Sequence, residues 1–259
     1  GRLPEARKHL QEAGAQDNQQ RVQLTQAEAQ LLREANAYQE AFELLGQALE
    51  KLPNYPDLLY DHAMAAEKVN RFDVLEGNLR KLIQIRPDHA HAYNALGYTL
   101  ADRGQRIEEA HGLIETALKL APEDPFIMDS MGWVLYRMGR NQEGLDYLQR
   151  AFTLRPDAEI AAHLGELLWV VGQRDQAKKV WADALKDHPK NEVLQTTVTR
   201  FLARFAPEIS TSELSIIADS TLADGEASGA TAAAAVAMFT VSNIAAPNKE
   251  ERSKREMAF

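Results

Sequence analysis

The chain has no cysteine. That removes disulfide cross-links, thiolate nucleophiles and cysteine-based zinc sites, and it leaves the compartment open, because oxidising and reducing spaces both tolerate cysteine-free proteins. An excess of basic residues is missing too. The formal net charge is −9, and about −5 remains on residues 1–205 when the C-terminal 54 residues are set aside. No basic stripe is left to neutralise phosphates, which argues against nucleic acid as a partner. Catalytic signatures are also lacking: no Gly-x-Ser-x-Gly elbow, no His-Glu-x-x-His, no phosphate-cradling glycine loop and no dinucleotide fingerprint. The nearest approach to a membrane-spanning run is 229–246, but alanine contributes little transfer energy and Thr231, Thr240, Ser242 and Asn243 dilute it, so a span is disfavoured.

What the chain does have is a beat. Pro53, Pro87, Pro122, Pro156 and Pro189 follow one another at intervals of 34, 35, 34 and 33 residues. Asn36, Asn70, Gly104, Gly139 and Gly172 repeat the interval half a unit earlier, where a helix can end in a left-handed residue. Each unit thus reads as two helices and two turns. Ala29, Ala63, Gly97, Gly132 and Gly165 mark the middle of each first helix, where a minimal side chain lets another helix approach. In each second helix Ala41, Leu75, Ala110, Gly144 and Ala177 are followed one turn on by Leu45, Leu79, Ile114, Leu148 and Trp181. Three residues later come Ala48, Leu82, Ala117, Ala151 and Ala184, completing an apolar seam. The third unit holds one extra residue between Gly104 and Ala110. Asn54, Asp88, Asp124, Asp157 and Asn191 follow the prolines within two residues and are able to cap the next helix.

Ala95-Leu96-Gly97-Tyr98, Ser130-Met131-Gly132-Trp133 and His163-Leu164-Gly165-Glu166, each in phase with its turn and proline, resemble the tetratricopeptide repeat family. The resemblance implies an all-α, right-handed superhelical solenoid of antiparallel helix pairs, with no catalysis and no cofactor of its own. Residues 1–20 are expected to be the second helix of a truncated repeat, 21–189 five repeats, 190–205 a capping helix, and 206–259 an alanine-rich tail, weakly helical or disordered. A start in mid-repeat, without initiator methionine or signal sequence, suggests a piece of a longer array. The strings 93–102 and 129–136 are similar to proteobacterial envelope-associated members of the family. That favours a periplasmic or envelope location over a cytoplasmic one.

In the family the first helix of each unit lines the inside of the superhelix. Steps of three, four and three then give Gln23, Gln26, Gln30 and Arg33; Asp57, Tyr60, Met64 and Glu67; His91, Asn94, Tyr98 and Ala101; Phe126, Asp129, Trp133 and Tyr136; Glu159, Ala162, Glu166 and Trp169. The stripe turns from polar to aromatic, and aromatics are the usual anchors of a protein-binding groove, the alternative being that rings on a first helix fill space between adjacent repeats. The expected partner-binding groove therefore comprises Tyr60, Met64, His91, Asn94, Tyr98, Phe126, Asp129, Trp133, Tyr136, Glu166 and Trp169. Its carboxylates would attract basic side chains, so the expected ligand is a peptide or helix, apolar with basic flanks. The lysine and asparagine pattern by which some family members grip a C-terminal carboxylate is absent.

Several expectations concern single side chains. Trp181 belongs to the packing seam and not to the stripe, and His62 and His163 read as packed histidines. His89 and His91 stand two apart at a helix start and share no face, so a metal would need further ligands; the ordinary reading is a solvated pair beside a helix end. Two other functions stay open from sequence: the assembly part of a larger enzyme whose catalytic domain lies upstream, and a homo-oligomeric structural array.

Overall fold

A computed structural model describes residues 3–205 of the protein; the expectations for 206–259, including the alanine-rich run, lie outside the described residues. The described secondary structure is entirely α-helical: α1 (Leu3–Glu12), α2 (Asn18–Glu34), α3 (Tyr38–Lys51), α4 (Pro56–Lys68), α5 (Phe72–Ile85), α6 (Ala90–Asp102), α7 (Ile107–Leu120), α8 (Pro125–Arg137), α9 (Asn141–Leu154), α10 (Ala158–Val170), α11 (Arg174–Asp187) and α12 (Glu192–Phe205). The chain divides after Met138 into two compact units. In the first, successive helices pack on one another from α1 to α8; in the second, α10 packs against α9, α11 and α12.

The turns inside the helix pairs form where the sequence places them. Asn36, Asn70, Gly104, Gly139 and Gly172 all have positive φ, from 58° to 87°. At four of them the next amide reaches back to satisfy an orphan carbonyl of the ending helix: Ala37 to Leu32, Arg71 to Ala66, Gln105 to Leu100 and Gln173 to Leu168, at 2.8 to 2.9 Å, the Schellman closure. The extra residue of the third unit is absorbed by Arg106, which takes a left-handed conformation (φ 44°, ψ 52°) immediately before α7. This costs roughly 1–2 kcal/mol for a side-chain-bearing residue. Its guanidinium returns to Glu76 on α5 at 2.6 and 2.9 Å.

The capping expectation holds in part. The carboxylate of Asp124 accepts from the amides of Phe126 and Ile127, Asp157 accepts from Glu159, and Asn191 accepts from Leu194. Asn54 and Asp88 do not cap. Helix α4 starts on Pro56 with Tyr55 before it and no side-chain cap, a start suited to proline because its missing N–H would be unsatisfied anyway. Asp88 turns instead to the guanidinium of Arg86 at 3.0 and 3.2 Å. His89 takes over the cap of α6.

The seam is the core. Ala41, Leu45, Leu75, Leu79, Leu82, Ala110, Ile114, Ala117, Leu148, Ala151 and Ala177 are fully sealed from solvent, and Trp181 is 1% exposed. At Gly97 and Gly165 a neighbouring helix leaves no room for a side chain. A Cβ on Gly97 would sit 2.6 Å from Cγ1 of Ile114 on α7, and one on Gly165 would sit 2.1 Å from Nε1 of Trp181 on α11. Neither separation is available to real atoms, so both positions need glycine for reasons of space.

Candidate functional site

In the first unit a row of side chains on α4 and α6, joined by Phe126 and Tyr136 at the two ends of α8, stays partly exposed. Tyr60, Met64, Asn94, Tyr98 and Tyr136 are half-buried, His91 is exposed, and Phe126 is 40% exposed. Pro56 and Pro125 in the first turns and the Asp124 cap fix where these helices begin, and hence which residues fall on the row. Neighbouring helices are stitched along it. Gln26 of α2 donates to Asp61 of α4 at 2.7 Å. The Tyr60 ring lies 5.4 Å from that of His89, and His91 Nε2 is 3.7 Å from Asp124 Oδ2.

The row is acidic in its effects as well as its composition. Burial raises the Tyr60 phenol above its ordinary range, and the carboxylates of Asp61, Glu67 and Asp124 push it further the same way. Carboxylates on α4 and at the head of α8 thus stand close enough to this hydroxyl to disfavour its anion. Asn94 contributes a different feature. Its Oδ1 is buried and has no hydrogen-bond partner among the described residues. A buried amide acceptor left unsatisfied costs free energy comparable to a lost hydrogen bond.

Four expected groove residues are not at the surface. Asp129 is 7% and Trp133 6% exposed on α8; Glu166 is 6% and Trp169 4% exposed on α10. The reason is that α8 and α10, unlike α4 and α6, are apolar nearly all round. Every residue from 127 to 135 and from 160 to 169 is buried, as expected of a helix without a polar face. In the second unit Trp169 stacks on Trp181 at 5.9 Å and meets the edge of Phe201 from α12 at 6.1 Å. Glu166 is engaged by Arg200 of α12. An aromatic ring and a carboxylate read as ligand anchors are therefore taken up within the unit itself. Trp133 lies 5.4 Å from Tyr136, and the Arg137 guanidinium lies 5.9 Å from its ring.

The histidines divide differently. His62 is 9% exposed, stacked on Phe42 at 4.6 Å, and its Nδ1 lies 2.9 Å from Asn78 Nδ2; His163 is 7% exposed. Both are packed histidines. His89 is half-buried, and its Nδ1 accepts from the amide of Ala92 at 3.1 Å. Sequence reasoning missed that role. The available signal was its place directly before the first apolar residue of α6, but histidine is not among the preferred capping residues.

Antiparallel helix pairs closed by left-handed turns, stacked through a small-residue seam, define an all-α helical-repeat protein. Its residues 60–125 match the tetratricopeptide repeat family model. A TPR repeat-containing protein of Pseudomonas aeruginosa is 43% identical over 166 residues, 64% of this chain and 28% of that protein. Human protein arginine N-methyltransferase 9 is 43% identical over 56 residues, 22% of this chain and 7% of the enzyme. The chain thus spans less than a third of the length of either relative. Among solved structures, a thermophilic TPR protein of Thermus thermophilus superposes with a TM-score of 0.62 at 24% identity, over 70% of this chain and 98% of that one. The Cut9–Hcn1 hetero-tetramer of the APC/C gives 0.69 at 15% identity, over 91% of this chain and 46% of its own. These likenesses establish the all-α superhelical repeat fold. Residues 60–125 thus carry the tetratricopeptide repeat signature, and the chain resembles the proteobacterial TPR repeat-containing protein. Proteins of this fold generally mediate protein–protein interactions. Among the described residues no helix is long and apolar enough to cross a membrane.

Proposed function

We propose that the first unit binds a polypeptide segment, apolar in the middle and basic at its ends, along the row formed by α4, α6 and α8. Tyr60, Met64, Tyr98, Phe126 and Tyr136 supply apolar area, His91 and Asn94 supply polar contacts, and Asp129 and Trp133 are buried out of the segment's reach. The observation that carries the reading is Asn94: its buried Oδ1 lacks a donor, and a main-chain N–H of a bound segment would provide one. Phe126, 40% exposed at the same row, is an aromatic that gains by being covered. The carboxylates of Asp61, Glu67 and Asp124 near Tyr60 support the basic flanks. Glu166 and Trp169, engaged within the second unit, hold α10 and α12 together and give the segment nothing to grip.

The test uses a synthetic peptide with a leucine- and phenylalanine-rich centre and two lysines at each end, followed by fluorescence anisotropy. Asn94→Ala and Phe126→Ser should each weaken binding by about tenfold, the scale of one hydrogen bond or one well-covered ring, with unchanged circular dichroism. Equal affinity in both variants and the wild type would sink the assignment of the row.

A further inference from the structure

His89 sits where the row meets the turn around Pro87, and its geometry ties a titratable ring to the start of α6. The Nδ1 atom lies 3.1 Å from the Ala92 amide, which also reaches the His89 carbonyl at 3.0 Å. To accept, Nδ1 must carry no proton, so the neutral ring holds its hydrogen on Nε2. The groups facing it come from every neighbouring element. Helix α4 offers Asp57 and Tyr60, the turn offers Arg86 and Asp88 paired with each other, and α6 offers His91, itself 3.7 Å from Asp124 at the head of α8.

Resting on the groove reading above, we propose that His89 is a proton-operated switch for that groove. Unprotonated, it caps α6 and leaves the row acidic; protonated at Nδ1, it gives up the cap and sets a cation among the carboxylates that receive the partner's basic flanks. Two physical effects couple the events. A proton on Nδ1 would point at the Ala92 N–H, donor against donor, so the ring must leave the cap. The first turn of a helix also carries partial positive charge, which disfavours a cation there. Burial already holds the imidazole below its usual 6.5, with His91 and Arg86 acting in the same direction and a backbone hydrogen bond and Asp57 opposing. The switch therefore operates on the acid side of neutrality and leaves the groove in its binding state at pH 7.5.

The experiment uses the whole 259-residue chain and the same lysine-flanked peptide. Affinity for the wild type should fall by about tenfold from pH 7.5 to pH 5.0, since adding positive charge within about 10 Å of the basic flanks opposes them. His89→Asn keeps a capping oxygen and cannot titrate; its loss over the same interval should shrink to about threefold or less. In parallel, nuclear magnetic resonance of the wild type should show the Ala92 amide shifting along the titration curve of the His89 ring. A His89→Asn chain with the full wild-type loss overturns the proposal, as does an Ala92 amide indifferent to the ring. Absence of peptide binding at pH 7.5 would count against the groove, and the Ala92 amide would then decide the switch.

Discussion

A glycine at position 165 matters because of what stands over it. The indole of Trp181 occupies the space a Cβ would need and donates from Nε1 to the Ala162 carbonyl at 3.3 Å. Gly165→Ala should destabilise the second unit by about 1–3 kcal/mol through overpacking, read from the midpoint of urea unfolding. Gly97→Ala should behave similarly in the first unit, where the carbonyl of Ala110 at 2.9 Å cannot yield as a side chain can. No loss in either would show that the helices separate more easily than their spacing implies. Both glycines were legible in the sequence as small residues in phase, and so was Trp181 as a seam residue. The burial of Trp133 and Trp169 was not. A stripe drawn at steps of three and four gives direction only, and whether that direction meets solvent depends on the helix having a polar face.

Helix ends and the links between helices are the next scale. Asp124 satisfies two amides at the start of α8, and Asp124→Ala should cost about 1 kcal/mol, with faster hydrogen exchange confined to the first turn of that helix. Helices α5 and α7 are joined by four charges: Arg80 meets Glu76 and Glu109, and Arg106 meets Glu76. The Arg106 hydrogen bonds, and then Arg80 against the effect of burial, bring the Glu76 carboxyl down to about 2 from 4.5. Because the folded value is the lower one, the stabilisation is complete above pH 4.5 and is lost as pH falls towards 2. The cluster is partly solvated, so Glu76→Gln should cost no more than about 1 kcal/mol at pH 7 and should flatten the acid limb of the stability curve. The left-handed Arg106 could be anticipated only as an inserted residue. Where the backbone would absorb it followed from a partner on another helix, which local sequence does not reveal. The caps were readable wherever aspartate or asparagine reached the helix start, and failed at α4 and α6, where proline and histidine did that work.

Across the chain the pH response combines several groups. His62 and His89 are both held below 6.5, chiefly by burial. The unfolded chain binds their protons first, so stability should fall as pH drops below 6.5 and level off once the folded rings have titrated. Urea midpoints at pH 7.5 and 5.0 measure this, and His62→Asn together with His89→Asn should reduce the difference; an unchanged difference would mean that other groups carry it. Fold class was plain from the proline interval alone, because a repeated unit of two helices has few ways to bury its seam. The groove could only be outlined, since neither the missing donor at Asn94 nor the engagement of Glu166 by Arg200 leaves a trace in spacing. Finally, all three tryptophans are shielded, at 6%, 4% and 1% exposure, and two of them form a pair in the second unit. Intrinsic emission from the native chain should therefore lie to the blue and stay indifferent to surface quenchers. Replacing Trp133 by phenylalanine would leave a signal reporting the second unit alone, so the order in which the two units melt can be followed by light without attaching any dye.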